Sequence, residues 1–85
     1  MAEATNITFT PQSAGTGYRE AVVTAVASAT ETITLTSHEY ACDTIKSAVA
    51  HVAATGVPIT YAFSGNVLTR TTSGSDVADV IRILY

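Results

Sequence analysis

The chain has 85 residues, of which 47% are apolar and 13% are charged, with a formal net charge of -3. A soluble domain typically carries about 25% charged residues, so this surface is short of ions. The apolar content excludes a disordered chain, and Lys46 as the single lysine leaves no basic footprint for binding nucleic acid.

At this length one domain is expected, with modest stability in isolation because a small chain buries a smaller share of its surface. Cys42 has no second cysteine to pair with, which points to a reducing compartment. The stretch from Met1 to Asn6 lacks the basic start and apolar run of a secretion signal. No formal charge occurs from Ser47 to Thr69, but Gly56, Pro58, Gly65 and Asn66 interrupt that run, so a membrane span is not expected.

In chain order, Asn6 to Thr10 alternates as a strand with Ile7 and Phe9 inward, ended by Pro11, and a loop follows through Gly15 and Gly17. Glu20 to Ser28 fits one helical face, yet its valines and the absence of a stop signal favour a strand. Glu31 to Thr36 alternates strictly, with Ile33 and Leu35 on one side and Thr32, Thr34 and Thr36 on the other. A helix is expected from Ser37 to Thr55. Thr36 and Glu39 have capping-box spacing, Ala41, Ile45, Ala48, Val49 and Val52 form a stripe, and Gly56 followed by Pro58 marks the end.

Beyond the helix, Val57 to Ser64 and Val67 to Thr72 read as a hairpin around Gly65-Asn66. That turn pairs Phe63 with Leu68 and Tyr61 with Arg70, placing Ile59, Tyr61, Phe63 and Leu68 on the buried face and the Arg70 guanidinium over the Tyr61 ring near the margin. Val77 to Tyr85 is too uniformly apolar for an amphipathic helix and reads as a buried strand. The fold class expected is thus α+β, a single domain over 1-85 in the order βββαβββ. One long helix packs on a mainly antiparallel sheet.

Candidate chemistry is sparse. His38 and Cys42 fall four residues apart on the expected helix, but a metal site needs two more ligands and a thiol nucleophile needs an orienting group. His51 reads as a border residue of the apolar stripe. Asp76 and Asp79 lack the further ligands of a calcium loop and read as a solvated strand entry, and Gly15-Thr16-Gly17 lacks the lysine of a phosphate loop. No catalytic residue, metal site, cofactor or small-molecule substrate is expected, and the chain is read as no enzyme.

The unusual feature is a set of Thr-x-Thr ladders at Thr8 to Thr10, Thr32 to Thr36 and Thr69 to Thr71. Rows of threonine can be covered by another surface without the cost of desolvating charge. The ladders resemble the threonine arrays of ice-binding proteins over these short stretches only, without the solenoid repeat. Candidate interface residues are Thr32, Thr34, Thr60, Thr69, Thr71, Arg82 and Tyr85.

The composition resembles that of small structural proteins of tailed bacteriophages as a group, although no family motif is present. The function expected is a structural subunit of a larger assembly, such as a capsid decoration or head-tail component. Its partners are then copies of itself or other assembly subunits such as a major capsid protein, with no nucleic acid and no membrane. It would reside in the virion, assembled in the host cytoplasm. The alternative is a small cytoplasmic binding module or inhibitor that docks a partner through an exposed edge, with Val80 to Tyr85 as that edge.

Overall fold

Two long strands of alternating burial set the frame, and the computed structural model, which describes residues 3-12, 20-35 and 44-85, builds two antiparallel sheets around them. In chain order the strands are β1 (Thr5–Gln12), β2 (Glu20–Ala27), β3 (Thr32–Thr34), β4 (Ser47–Val52), β5 (Pro58–Ile59), β6 (Tyr61–Ser64), β7 (Val67–Arg70) and β8 (Val77–Leu84). The larger sheet has the order β1-β2-β8-β4-β5, and the smaller one β3-β7-β6. Thr60 alone separates β5 from β6 and carries the chain from one sheet to the other.

The core lies between the sheets. On β2, Ala21, Val23, Ala25 and Ala27 point inward; on β8, Asp79, Ile81 and Ile83; Ile33, Leu35, Tyr61 and Leu68 come from the smaller sheet and its flank. This is the period-2 alternation of a sheet with one covered face. In β1 a register shift between Thr5 and Thr8, with Asn6 at φ 53°, inserts an extra residue, so that Ala4 before it is buried on the same side as Ile7 and Phe9. The strands expected before the helix position are present, as is the terminal one.

The expected α+β class with a helix over 37-55 is overturned: among the described residues the protein is all-β, and residues 47-52 form β4, paired to β8 along its length. The run Ser47-Ala48-Val49-Ala50-His51-Val52 has small or apolar residues at almost every position, so it satisfies both a 3.6-residue and a 2-residue period. Pairing with β8 selects the second, placing Ala50 inward and Val49 and His51 outward. Gly56, expected to end a helix, uses its positive φ of 75° in the turn between β4 and β5, where its N–H donates to the Val52 carbonyl. Pro58 sits on β5, an edge strand, where the lack of an N–H is tolerated. The capping residues Thr36 and Glu39, together with His38, Cys42 and the Gly15-Thr16-Gly17 turn, lie outside the described residues.

The β6-β7 hairpin keeps the expected register, Tyr61 with Arg70 and Phe63 with Leu68, with Gly65 at φ 59° in the turn. Phe63, at the open end of its sheet, is 42% exposed instead of buried. β8, the docking edge of the alternative reading, is the central strand of its sheet, paired with β2 on one side and β4 on the other. Its backbone offers no edge.

The inward and outward assignments are checked by paired truncations. Leu68→Ala, at a fully buried position, is expected to lose about 2–5 kcal/mol of unfolding free energy in urea titration. Val49→Ala, at a position 68% exposed, is expected to change it by less than about 0.5 kcal/mol. Equal losses would place Val49 in the core, as a different packing of residues 47-52 requires.

Candidate functional site

Burial brings together three polar side chains from two sheets. The Arg70 side chain on β7 runs inward beside Leu68 and its Nε donates to Asp79 Oδ2 on β8 at 2.8 Å, both side chains being almost completely buried. The Tyr61 hydroxyl on β6 donates to the same oxygen at 2.6 Å. Arg70 Nη1 donates to the carbonyls of Thr72 and Ser73 in the connection that follows β7. The backbone of Arg70 is held as well, its N–H by the Glu31 carbonyl and its own carbonyl by the Thr30 N–H. Asp79 Oδ1 is buried with no hydrogen-bond partner among the described residues.

This cluster corrects two sequence expectations. Asp79 is not part of a solvated strand entry, and the Arg70 guanidinium turns inward to a carboxylate instead of lying exposed over the Tyr61 ring. Ala25, the register partner of Asp79 on β2, is buried beside it. Gly74 completes the enclosure: at φ 152°, a Cβ there would stand 2.7 Å from Arg70 Nη1 and 3.0 Å from Val77 Cγ2. Buried charges without solvent access and held by fixed donors serve to lock the sheets together, since ions taken out of water are tolerated only when paired.

The remaining candidates lie on two outward faces. Thr32, Thr69 and Ala62 form one row across the smaller sheet, and Thr34, Val67 and Ser64 the next. Thr60 and Thr71 meet at its end, with their Oγ1 atoms 2.6 Å apart. Five of the seven residues expected at an interface thus share one surface without a formal charge in its rows. Glu3 borders it, accepting from the Thr32 hydroxyl at 3.0 Å and the Thr34 N–H at 2.9 Å.

Arg82 lies on the outer face of the larger sheet, its side chain 70% exposed and 3.7 Å from Glu20. Around it are Val22, Val49, His51 and Val80, which line a shallow depression of about 260 Å³. The Thr8 and Thr24 hydroxyls bond to each other toward the β1 edge. Sequence reasoning did not single out this valine face. Tyr85 instead packs inward, 8% exposed, with its ring edge-on to Phe9 at a centroid distance of 5.6 Å.

Among the described residues no group of three or more His, Cys, Asp or Glu side chains could hold a metal ion, and no helix is long and apolar enough to cross a membrane. No family model matches the chain, and neither a curated protein nor a solved structure shows significant similarity to it.

Burial, and then the hydrogen bond to Asp79, hold the Tyr61 phenol well above its ordinary ionisation range near pH 10. A raised folded-state pKa gives stability that is complete below the unfolded pKa and is lost as pH rises from there toward the folded value. Unfolding free energy is therefore expected to fall above about pH 10, and less steeply in Tyr61→Phe, which costs about 1 kcal/mol at neutral pH. An identical alkaline slope in the variant would remove Tyr61 from the cluster. Asp79→Asn strands the Arg70 charge and is expected to cost about 3–5 kcal/mol. Gly74→Ala, measured the same way, is expected to destabilise because it displaces the guanidinium.

Proposed function

We propose that the protein is a structural subunit of a larger assembly, joined to neighbouring protein through its sheet faces. The observation that carries this reading is the outward side of β2 and β8. An antiparallel sheet with one face in water alternates apolar with polar residues, whereas strands covered on both faces are apolar throughout. Outward positions here are Glu20, Val22, Thr24 and Val26 on β2 and Ala78, Val80, Arg82 and Leu84 on β8, with Val49 beside them on β4. Apart from Glu20, Thr24 and Arg82 these positions are apolar, closer to a doubly covered strand than to one with a face in water, yet within the described residues only the inner face is covered.

The opposite side of the molecule supports the same reading by different chemistry. Threonine rows have no ions to desolvate, and several of their hydroxyls are already paired with one another or with Glu3. Such a surface can be covered at low cost. Among the described residues the remaining charges of Glu31, Lys46 and Asp76 fall in connections between strands. Within this reading, a small virion protein of a tailed bacteriophage, decorating the capsid or joining head to tail, is the setting that composition favours. Its partners would be copies of itself or a capsid subunit, in a particle assembled in the host cytoplasm.

The test is mass as a function of concentration, by size-exclusion chromatography with light scattering, on the wild type and two double variants. Val49→Lys with Val80→Lys alters the valine face, and Ala62→Lys with Thr69→Lys the threonine face. The wild type is expected to exceed its monomer mass of 8.8 kDa or to sediment with large particles from its native source, and at least one double variant to lose that behaviour with its unfolding midpoint retained. A wild type that stays monomeric to its solubility limit and is missing from every large particle overturns the reading.

A further inference from the structure

We infer that the outer face of the larger sheet binds the same face of a second copy of the chain, related by a two-fold axis in the plane between them, with Arg82 of each copy paired to Glu20 of the other. This rests on the assembly reading and names the partner of one of its two faces.

Charge is the first argument. The chain carries a formal charge of -3, so two copies repel in most orientations. Among the described residues the ionised groups on this face are one cation, Arg82, and one acid, Glu20, adjacent and of opposite sign. Two such faces in two-fold contact bring each cation to the other copy's anion, so the patch complements itself. An isologous contact requires that property. The pair within one copy is loose at 3.7 Å and the arginine side chain is 70% exposed, which leaves the guanidinium free to reach across. Packed sheets lie about 10 Å apart, within the combined reach of an arginine and a glutamate.

Area is the second. The five strands hold thirty-two residues, which at about 4.8 Å spacing and about 3.3 Å rise give a face of about 500 Å². Two copies would bury about 1,000 Å² in total, the least that a specific interface needs. The contact is therefore sufficient for a reversible dimer and too small for an obligate one. Val22, Val49 and Val80 supply its apolar part around the depression, with Arg82 in register between Val22 and Val49 and Glu20 at the end of β2, and this pair sets the register of the two copies.

The experiment is sedimentation velocity over a concentration series at low ionic strength, on the wild type, Glu20→Arg, Arg82→Glu, and an equimolar mixture of the two variants. The wild type is expected to show a concentration-dependent monomer–dimer equilibrium. Each variant alone places four like charges in the interface and is expected to weaken dimerisation at least tenfold, with its unfolding midpoint unchanged. The mixture joins an all-positive face to an all-negative one and is expected to restore a heterodimer. A mixture that stays monomeric while the wild type dimerises overturns the inference. So does a wild type that remains monomeric throughout, in which case sedimentation with native particles still decides the assembly reading. Oligomers that ignore both charge variants but dissolve with Ala62→Lys and Thr69→Lys place self-association on the threonine face, overturning the inference and leaving the assembly reading standing.

Discussion

The ion pair between Arg70 and Asp79 is the constraint around which the sandwich is arranged. It joins β7, the middle strand of the smaller sheet, to β8, the middle strand of the larger, inside an otherwise apolar core. A buried pair is a weak source of net stability, because desolvating both ions offsets most of their attraction. Its effect is selective. A one-residue slip of β8 would turn Asp79 to the surface and leave Arg70 without its counterion, in addition to moving Ile81 and Ile83 out of the core. Hydrophobic contacts between aliphatic residues tolerate several registers, but a guanidinium has one carboxylate to meet. Tyr61, donating to the same oxygen, and the Thr72 and Ser73 carbonyls, accepting from Nη1, fix the direction from which Arg70 arrives.

The same arrangement explains the local chemistry of the connection between β7 and β8. Arg70 occupies the volume under residues 72-74, so position 74 has no room for a side chain and takes a backbone angle suited to glycine. The turn before β3 is held to this connection by the Thr30 N–H on the Arg70 carbonyl and the Ala29 N–H on the Gly74 carbonyl. Ser28 Oγ accepts from the Asp76 N–H. Two turns far apart in sequence are thereby organised by one buried side chain and its backbone.

Much of the strand framework was legible in the sequence because alternation is a local signal. Ile33 and Leu35, the Gly65-Asn66 hairpin with its register, and the apolar terminal strand are all read from spacing and turn chemistry. The buried charges were legible by the same rule and were not taken from it. Asp79 has the parity of Ile81 and Ile83, and Arg70 that of Leu68, so each belongs inward once its strand is accepted; the habit of assigning ions to the surface conceals this. The stretch from Ser47 to Val52 was not decidable locally, since alanine and valine at consecutive positions carry both periods. Its state is set by β8, about thirty residues away. The five threonines share a face because strand parity places them there, whereas the valine face emerges only when β2, β8 and β4 are laid side by side.

The two outward faces are the backs of the two strands that the ion pair connects. β8 carries Val80 and Arg82 outward and Asp79 inward; β7 carries Thr69 outward and Arg70 inward. A partner seated on the valine face therefore rests on the same strand that the carboxylate anchors, and one seated on the threonine face rests on the strand that carries the guanidinium. Sandwiches held by aliphatic packing alone can shear by small sliding steps between their sheets. Here sliding would separate a buried ion pair, with a penalty far larger than that for shifting methyl groups past one another. A module that transmits contact from one neighbour to another needs this resistance between its layers, and needs surfaces that can be covered without stranding charge. An ion pair inside, threonine rows without ions on one face, and on the other a valine face whose Arg82 and Glu20 already neighbour each other meet the two requirements with one distribution of residues.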